Sequence, residues 1–133
     1  LLIIYRPPPN KKNNLTFPMF LEEFGCLFES LIANPCSFLL SGDFNFHMDV
    51  PNSREPVIIR DLLDTSNLQQ HVTSSTHIAG HTLDLLISNV TDDLISSVGS
   101  ISPYMYLDIV SVGQNEGING GIRNVVYFRN TVI

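Results

Sequence analysis

The run Ser41–His47, with the sequence SGDFNFH, holds a carboxylate, Asp43, two residues before a carboxamide, Asn45. On an extended backbone alternate residues share a face, so these two side chains, followed by His47 and Asp49, are predicted to point one way. The intervening Phe44, Phe46 and Met48 are predicted to pack inside. A carboxylate can accept a proton from water or hold a metal ion, and an amide can donate to a charged oxygen without adding negative charge. The combination favours hydrolysis at phosphorus.

Two other interpretations apply to the same run. An Asx-rich turn without chemistry is the plainer one, since Asp and Asn both favour turns. A calcium loop begins with a similar D-x-N-x-H-x-D pattern, but Met48 stands where such a loop needs Gly, and Arg54 stands where it needs a bidentate Glu. The calcium interpretation is therefore excluded, and the turn stays open.

A second carboxylate, Asp84, stands in the apolar run His81–Ser88 (HTLDLLIS). Alternation places Thr82, Asp84 and Leu86 on one face of a strand. A lone charge there is costly unless it is paired or hydrogen-bonded, and in hydrolases such an Asp often orients a His. The alternative is an Asp at a strand end or sheet edge that faces water, and spacing alone does not decide. The chain's histidines are most simply loop or surface residues: His47, His71, His77 and His81.

The elements that position these residues follow from the apolar pattern. Leu1–Tyr5 and Cys36–Leu40 are apolar runs of strand length, and Ser41-Gly42 closes the second. An amphipathic helix is predicted from a Thr16 cap to about Asn34. The remaining candidates are a helix from Pro56 and strands over 68–72, 81–88, 94–98 and 107–112. Strands that alternate with helices predict a layered α/β architecture.

Composition limits the classes of function. The chain has 133 residues, 44% of them hydrophobic and 15% charged, with a net charge of −6. This excludes a disordered acidic tail and predicts one domain with a core. No apolar run reaches the roughly 18 residues that span a bilayer, so no membrane partner is expected. Residues 61–122 contain no Lys or Arg, so any phosphate-binding role needs a metal ion.

The two cysteines and the start of the chain bear on its origin. Cys26 and Cys36 have neither CxxC nor zinc spacing. They are predicted to be reduced core residues of an intracellular protein, nuclear or cytoplasmic rather than secreted, with a disulfide as the alternative. The chain opens in an apolar run without an initiator Met, which favours a piece of a longer reading frame.

Both constellations, in this order and spacing, resemble the endonuclease/exonuclease/phosphatase superfamily. The closer likeness is to the apurinic-type endonuclease domain that accompanies reverse transcriptase in non-LTR (LINE-like) retrotransposon polyproteins. The segments that carry this resemblance are Ile4–Pro8 (IYRPP), Leu39–Asn45 (LLSGDFN), Asn67–Val72 (NLQQHV), Thr76–Asp84 (THIAGHTLD) and, more loosely, Val126–Asn130 (VYFRN).

The resemblance implies a four-layer α/β sandwich and a hydrolase that nicks DNA by Mg²⁺-dependent phosphodiester hydrolysis, with Mn²⁺ as a substitute. It implies that Tyr5 contacts the scissile phosphate. Asp43 would be the base or a metal ligand, and Asn45 would hydrogen-bond the phosphate or the attacking water. Asp84 would hold the catalytic His in its tautomer, and Asp108 would be a further metal ligand.

The sequence departs from the family pattern in two places. The family's amino-terminal half, which supplies the Asn and Glu that anchor the metal, is absent, so we expect a partial sandwich in residues 1–112 and a linker or tail in 113–133. The closing Ser-Asp-His motif corresponds to Tyr106–Ile109 (YLDI), where Ile109 replaces His. We therefore expect an inactive endonuclease fragment, with a degenerate or co-opted protein-binding module as the alternative. An unpaired sheet edge at Leu1–Tyr5 is expected to promote self-association.

Overall fold

The computed structural model describes residues 1–92, 95, 97–100 and 107–111, and only the backbone over 97–100 and 107–111. The elements in chain order are β1 (Leu2–Tyr5), α1 (Phe17–Ile32), β2 (Leu39–Asp43), α2 (Arg54–Thr65), β3 (Leu68–Gln70), β4 (Asp84–Asn89), β5 (Ser97–Ser100) and β6 (Leu107–Ser111). This mixture confirms the α/β class at a coarse level. The predicted tail, 113–133, lies outside the described residues.

The first four strands form one mixed sheet in the order β1-β2-β4-β3. β1 and β2 run parallel and are joined through α1, whereas β4 is antiparallel to both β2 and β3. β5 and β6 pair with each other in a separate antiparallel ladder. Since β1 is an edge strand of the described sheet, one of its sides has no partner there, and the expected self-association stays a prediction.

The strand β2 runs further than its apolar pattern indicates. The predicted strand Cys36–Leu40 ended at Ser41-Gly42, but the observed strand begins at Leu39 and continues to Asp43. The glycine is needed inside the strand, because a Cβ on Gly42 would lie 1.7 Å from the carbonyl oxygen of Ile4 in β1. Gly42 therefore permits close pairing of the two backbones instead of ending the strand.

The other element boundaries differ by a few residues. α2 begins at Arg54, two residues before the predicted Pro56 start, and β4 begins at Asp84 rather than His81. The Thr16 cap is confirmed, since its hydroxyl oxygen accepts a hydrogen bond from the Met19 N–H at 3.4 Å.

Both helices pack against the same face of the sheet. The apolar stripe of α1 buries Phe24 and Phe28, and α2 buries Ile59 and Leu63 in the same cluster. Strand residues that share this core are Leu40, Leu85 and Ile87. The four-stranded sheet thus has both helices on one of its sides. None of its helices has the length and apolar character needed to cross a bilayer.

The cysteines are not core residues. Cys26 and Cys36 are both free, and both are exposed. The core prediction is therefore wrong. Cys26 lies in α1 between the buried residues Phe24 and Phe28, but at a position two residues off their stripe.

Candidate functional site

Three of the four predicted catalytic residues form one row across the sheet. Tyr5 is the register partner of Asp43, and Asp43 is the register partner of Asp84. Side chains of direct partners on neighbouring strands project to the same face. Tyr5 and Asp43 are the last residues of their strands, whereas Asp84 is the first residue of β4, which runs antiparallel to β2.

Asn45 joins this row through a turn. Its φ is 50°, in the left-handed region, and its N–H donates to the Asp43 carboxylate at 3.0 Å. The predicted extended backbone beyond Asp43 is therefore wrong, and the chain makes an Asx turn at this point. The side-chain amide of Asn45 donates to the carbonyl of Arg6 at 2.7 Å, which ties the turn to the end of β1. The predicted packing residues are buried: Phe44, Phe46 and Met48.

The turn rests on a buried arginine. Arg6 is 4% exposed, and its Nη1 donates to the carbonyls of Phe44 at 3.1 Å and Asn45 at 3.4 Å. Its guanidinium carbon lies 5.0–5.9 Å from the centroids of three rings, those of Phe17, Phe20 and Phe46. Burial lowers the pKa of Arg6, while the charge of Glu55, 3.8 Å away, acts in the opposite direction. Arg6 is therefore a positioning residue for the Asp43–Asn45 turn, a role that the sequence pattern did not indicate.

The two carboxyl groups of the row are held in an unfavourable environment for negative charge. Asp84 is 8% exposed, and burial raises its pKa to about 6, with a smaller contribution from the charge of Asp43. Burial also raises the pKa of Asp43, although its hydrogen bonds with Asn45 act against this. Neighbouring carboxyls with raised pKa values attract protons or cations, and such groups cluster at functional sites.

Thr76 supports the start of β4 and is a second residue that sequence reasoning missed. It is 5% exposed, and its hydroxyl oxygen accepts the N–H groups of Leu83 and Asp84, each at 3.0 Å. A hydrogen bond from its side chain to the Asp84 carboxyl lowers the pKa of that group. Thr76 thus fixes both the backbone and the side chain of Asp84.

His77 is the histidine whose charge acts on both carboxyls of the row, lowering the pKa of Asp43 and of Asp84. It reaches them because its loop folds tightly: the N–H groups of Thr76 and His77 both donate to the carbonyl of His81, at 3.0 and 2.9 Å. Spacing in the sequence gives no sign of this loop conformation, so the sequence predicts His77 only as a loop residue.

The structure groups His47 and Asp49 with His81. The Nδ1 atom of His81 lies 3.0 Å from Oδ2 of Asp49, and the ring centroids of His47 and His81 are 3.9 Å apart. The hydrogen bond with His81 lowers the pKa of Asp49 to about 2. One nitrogen or oxygen ligand atom from each of the three residues lies within 4.8 Å of the others.

For two predicted site residues, the role of the side chain stays a prediction. Tyr5 lies in the row and is 66% exposed, and its contact with a phosphate is untested. Asp108 lies in β6 opposite Gly99, but its side chain, like that of Ile109, lies outside what the structure describes. Its prediction as a metal ligand is therefore untested.

Comparison of the chain with protein-family models, curated proteins and solved structures finds no match. The chemistry of the site is therefore argued from its own geometry. Asp43 and Asp84 offer carboxylate oxygens beside the amide of Asn45, and an all-oxygen donor set of this kind fits Mg²⁺ better than a softer ion.

Proposed function

We propose that this chain carries part of the active site of a Mg²⁺-dependent phosphodiesterase, of the DNA-endonuclease type that LINE-like retrotransposon polyproteins contain. The supporting observation is the row of Tyr5, Asp43 and Asp84 across three strands, with Asn45 turned back onto Asp43. Hydrolysis of a phosphodiester needs a base, a donor to the phosphate oxygens and a cation. Asp43 is the proposed base and Asn45 the proposed donor, and the carboxylates of Asp43 and Asp84 would bind the cation.

The proposal extends to the fold. A four-layer sandwich needs a second sheet on the face of the first sheet that the helices leave free. On that face of β1, Ile3 is 65% exposed and Tyr5 is 66% exposed. An edge strand with two large exposed side chains on one face suits the packing of such a sheet. The described sheet with its two helices is then one half of the sandwich.

Within the site, each side chain has a distinct role. Asp43 accepts the proton of the attacking water or holds the cation, and its raised pKa brings it closer to the working range of a base. Asn45 aligns the phosphate or the water. Asp84 orients a histidine imidazole that carries a proton. Among the described histidines, His77 is the one whose charge lowers the pKa of Asp84. A bound Mg²⁺ would stabilise the negative charge that develops on the phosphate.

We expect that the chain as given does not nick DNA above background. Ile109 stands where the family pattern has its closing His. Loss of one group from a catalytic set typically lowers the rate by several orders of magnitude. Residues 61–122 also contain no Lys or Arg to hold a DNA backbone.

Two measurements test the site and the activity separately. In thermal unfolding near neutral pH, millimolar Mg²⁺ should raise the Tm of the wild type, because the cation offsets the repulsion between the carboxyls of Asp43 and Asp84. Asp43→Asn should abolish this increment, and Asp61→Asn, which removes an exposed carboxylate of α2, should leave it unchanged. An equal increment in Asp43→Asn would overturn the site. A plasmid-nicking assay should stay at background, and Mg²⁺-dependent nicking that disappears in Asp43→Ala would refute the expected inactivity while supporting the site.

A protein-binding module is the second candidate, and the edge position of β1 favours it. β1 pairs only with β2 in the described sheet, so its other side offers backbone donors and acceptors to another strand. Light scattering after size exclusion should show dimers or larger species at micromolar concentration. A monomer that unfolds cooperatively would contradict the expected self-association. A chain that forms only large aggregates would contradict the binding module, which needs a stable monomer or dimer.

A further inference from the structure

We propose that His47, Asp49 and His81 form a binding site for a zinc-class divalent transition-metal ion, which joins the loop between β2 and α2 to the loop before β4. This site is separate from the row of Tyr5, Asp43 and Asp84. It does not depend on the proposed phosphodiesterase function.

The ligand atoms are already close to the arrangement that one ion requires. All three lie within 4.8 Å of one another, and Nδ1 of His81 lies 3.0 Å from Oδ2 of Asp49. Zinc is bound at about 2 Å by His nitrogen and carboxylate oxygen, so two ligands of one ion are separated by at most about 4 Å. The side chains of His47 and Asp49 are at the surface, and small rotations close the remaining gap.

The backbone beneath the cluster is fixed, so the ion would find its ligands organised in advance. The N–H of Met48 donates to the carbonyl of Thr82 at 3.1 Å, and the N–H of Thr82 donates to Oδ1 of Asp49 at 2.9 Å. Met48 and Thr82 are 8% and 6% exposed. Each ligand therefore stands beside a buried residue, and the Asp49 carboxylate is already oriented by a main-chain donor.

A third contact holds the loop from the helix side. The guanidinium of Arg60 in α2 donates to the carbonyls of Met48 and Pro51. This contact flanks Asp49 on both sides along the chain. Ordering of the same loop by Thr82 and by Arg60 reduces the entropy that metal binding would otherwise cost.

The donor set selects the class of ion. Two imidazoles and one carboxylate suit Zn²⁺ and its neighbours Co²⁺, Ni²⁺ and Cu²⁺, whereas Mg²⁺ prefers oxygen ligands. Three protein ligands leave the fourth tetrahedral position to water. Asp49 supplies one negative charge to the ion, which replaces the proton shared between Nδ1 of His81 and Oδ2 of Asp49, and that proton is released to solvent. The consequence is a cross-link between the loops that follow Asp43 and precede Asp84.

The test is calorimetric titration of the untagged, chelator-treated full chain with Zn²⁺, followed by Co²⁺ absorption spectroscopy. The exposed thiols Cys26 and Cys36 are first changed to Ser, because free thiolates bind zinc on their own. We expect one Zn²⁺ per chain, a Co²⁺ spectrum of low-coordinate type, and a Tm that rises with Zn²⁺ but not with equal Mg²⁺.

The variants His47→Gln, Asp49→Asn and His81→Gln should each weaken Zn²⁺ binding at least about tenfold, in line with the loss of one ligand. His71→Gln is the matched control, since it removes a histidine that directly follows β3 and is not in the cluster. Because two ligands are exposed and the third is partly exposed, circular dichroism without metal should show the three ligand variants folded, and the control is checked in the same way. Binding that persists in the three ligand variants, binding that is lost in a folded His71→Gln, or no binding at about 100 μM Zn²⁺ would each overturn the proposal.

Discussion

Replacement of Asp84 by Asn should make the protein more stable near neutral pH. Asp84 is 8% exposed, and burial, assisted by the charge of Asp43, raises its pKa from 3.8 to about 6. Each pH unit between the folded and unfolded pKa is worth about 1.4 kcal/mol, so an ionised Asp84 costs the fold about 3 kcal/mol. Asn has nearly the same shape and no charge, and its amide oxygen can still accept a hydrogen bond from Thr76.

The pH dependence fixes the sign of this effect. A carboxyl with a higher pKa in the folded state binds its proton more tightly when folded, so protonation stabilises the protein. That stabilisation is complete below about pH 4 and is lost as the pH rises through about 6. In urea unfolding, wild type and Asp84→Asn should therefore have nearly equal free energies at about pH 4, and the variant should be more stable by about 3 kcal/mol at about pH 8.

The difference between the two proteins isolates Asp84 from the other groups that titrate over this range. Asp61→Asn is the matched control and should change the free energy of unfolding by less than about 0.5 kcal/mol at each pH. Parallel curves for wild type and Asp84→Asn would refute the argument. So would a variant that is less stable at about pH 8, because hydrogen bonds specific to the carboxylate would then outweigh its burial.

Three further substitutions and one control test the supports of the site by urea unfolding. Gly42→Ala should destabilise the fold by at least about 2 kcal/mol, because the added Cβ would lie 1.7 Å from a carbonyl oxygen of β1. Gly25→Ala, where the Cβ position has no neighbour within 4 Å, should be neutral or stabilising. Thr76→Val should cost about 1–3 kcal/mol, since two buried N–H groups lose their acceptor, and NMR titration should show a further rise in the pKa of Asp84. Arg6→Lys should cost about 2 kcal/mol, because an ammonium reproduces neither the forked donors nor the ring stacking, and an unchanged stability would contradict the role given to Arg6.

Much of the described fold follows from local pattern. The α1 stripe at three- and four-residue spacing, its Thr16 cap and the short branched run of β1 all depend on neighbouring residues, and each is found where the sequence predicts it. The end of β2 was not predictable in this way. Gly42 is a strand-ending signal locally, but its function is to admit the backbone of β1, which lies 38 residues away in the chain.

In the candidate site as well, the sequence predicts some residues but not the contacts between them. Asp43, Asn45 and Asp84 stand out by residue type, and the family resemblance gives them roles. Their row depends on the antiparallel direction of β4, which no spacing reveals. His77 and Thr76 act through a loop that closes on the carbonyl of His81 and on the N–H groups at the start of β4. Such contacts follow from tertiary folding alone, so sequence reasoning missed them.

The placement of Arg6 bears on what the carboxylate row is for. A pair of acids with a purely structural role would ordinarily be neutralised by a nearby cation. Arg6 could be expected to do this, because it directly follows Tyr5 in the sequence. Its guanidinium instead lies among aromatic rings and donates to the carbonyls of Phe44 and Asn45. Among the described residues, no Lys or Arg forms an ion pair with Asp43 or Asp84. A buried Asp84 that costs the fold about 3 kcal/mol when it is ionised is hard to explain as a device for stability. A divalent cation bound at the proposed site would supply the missing positive charge.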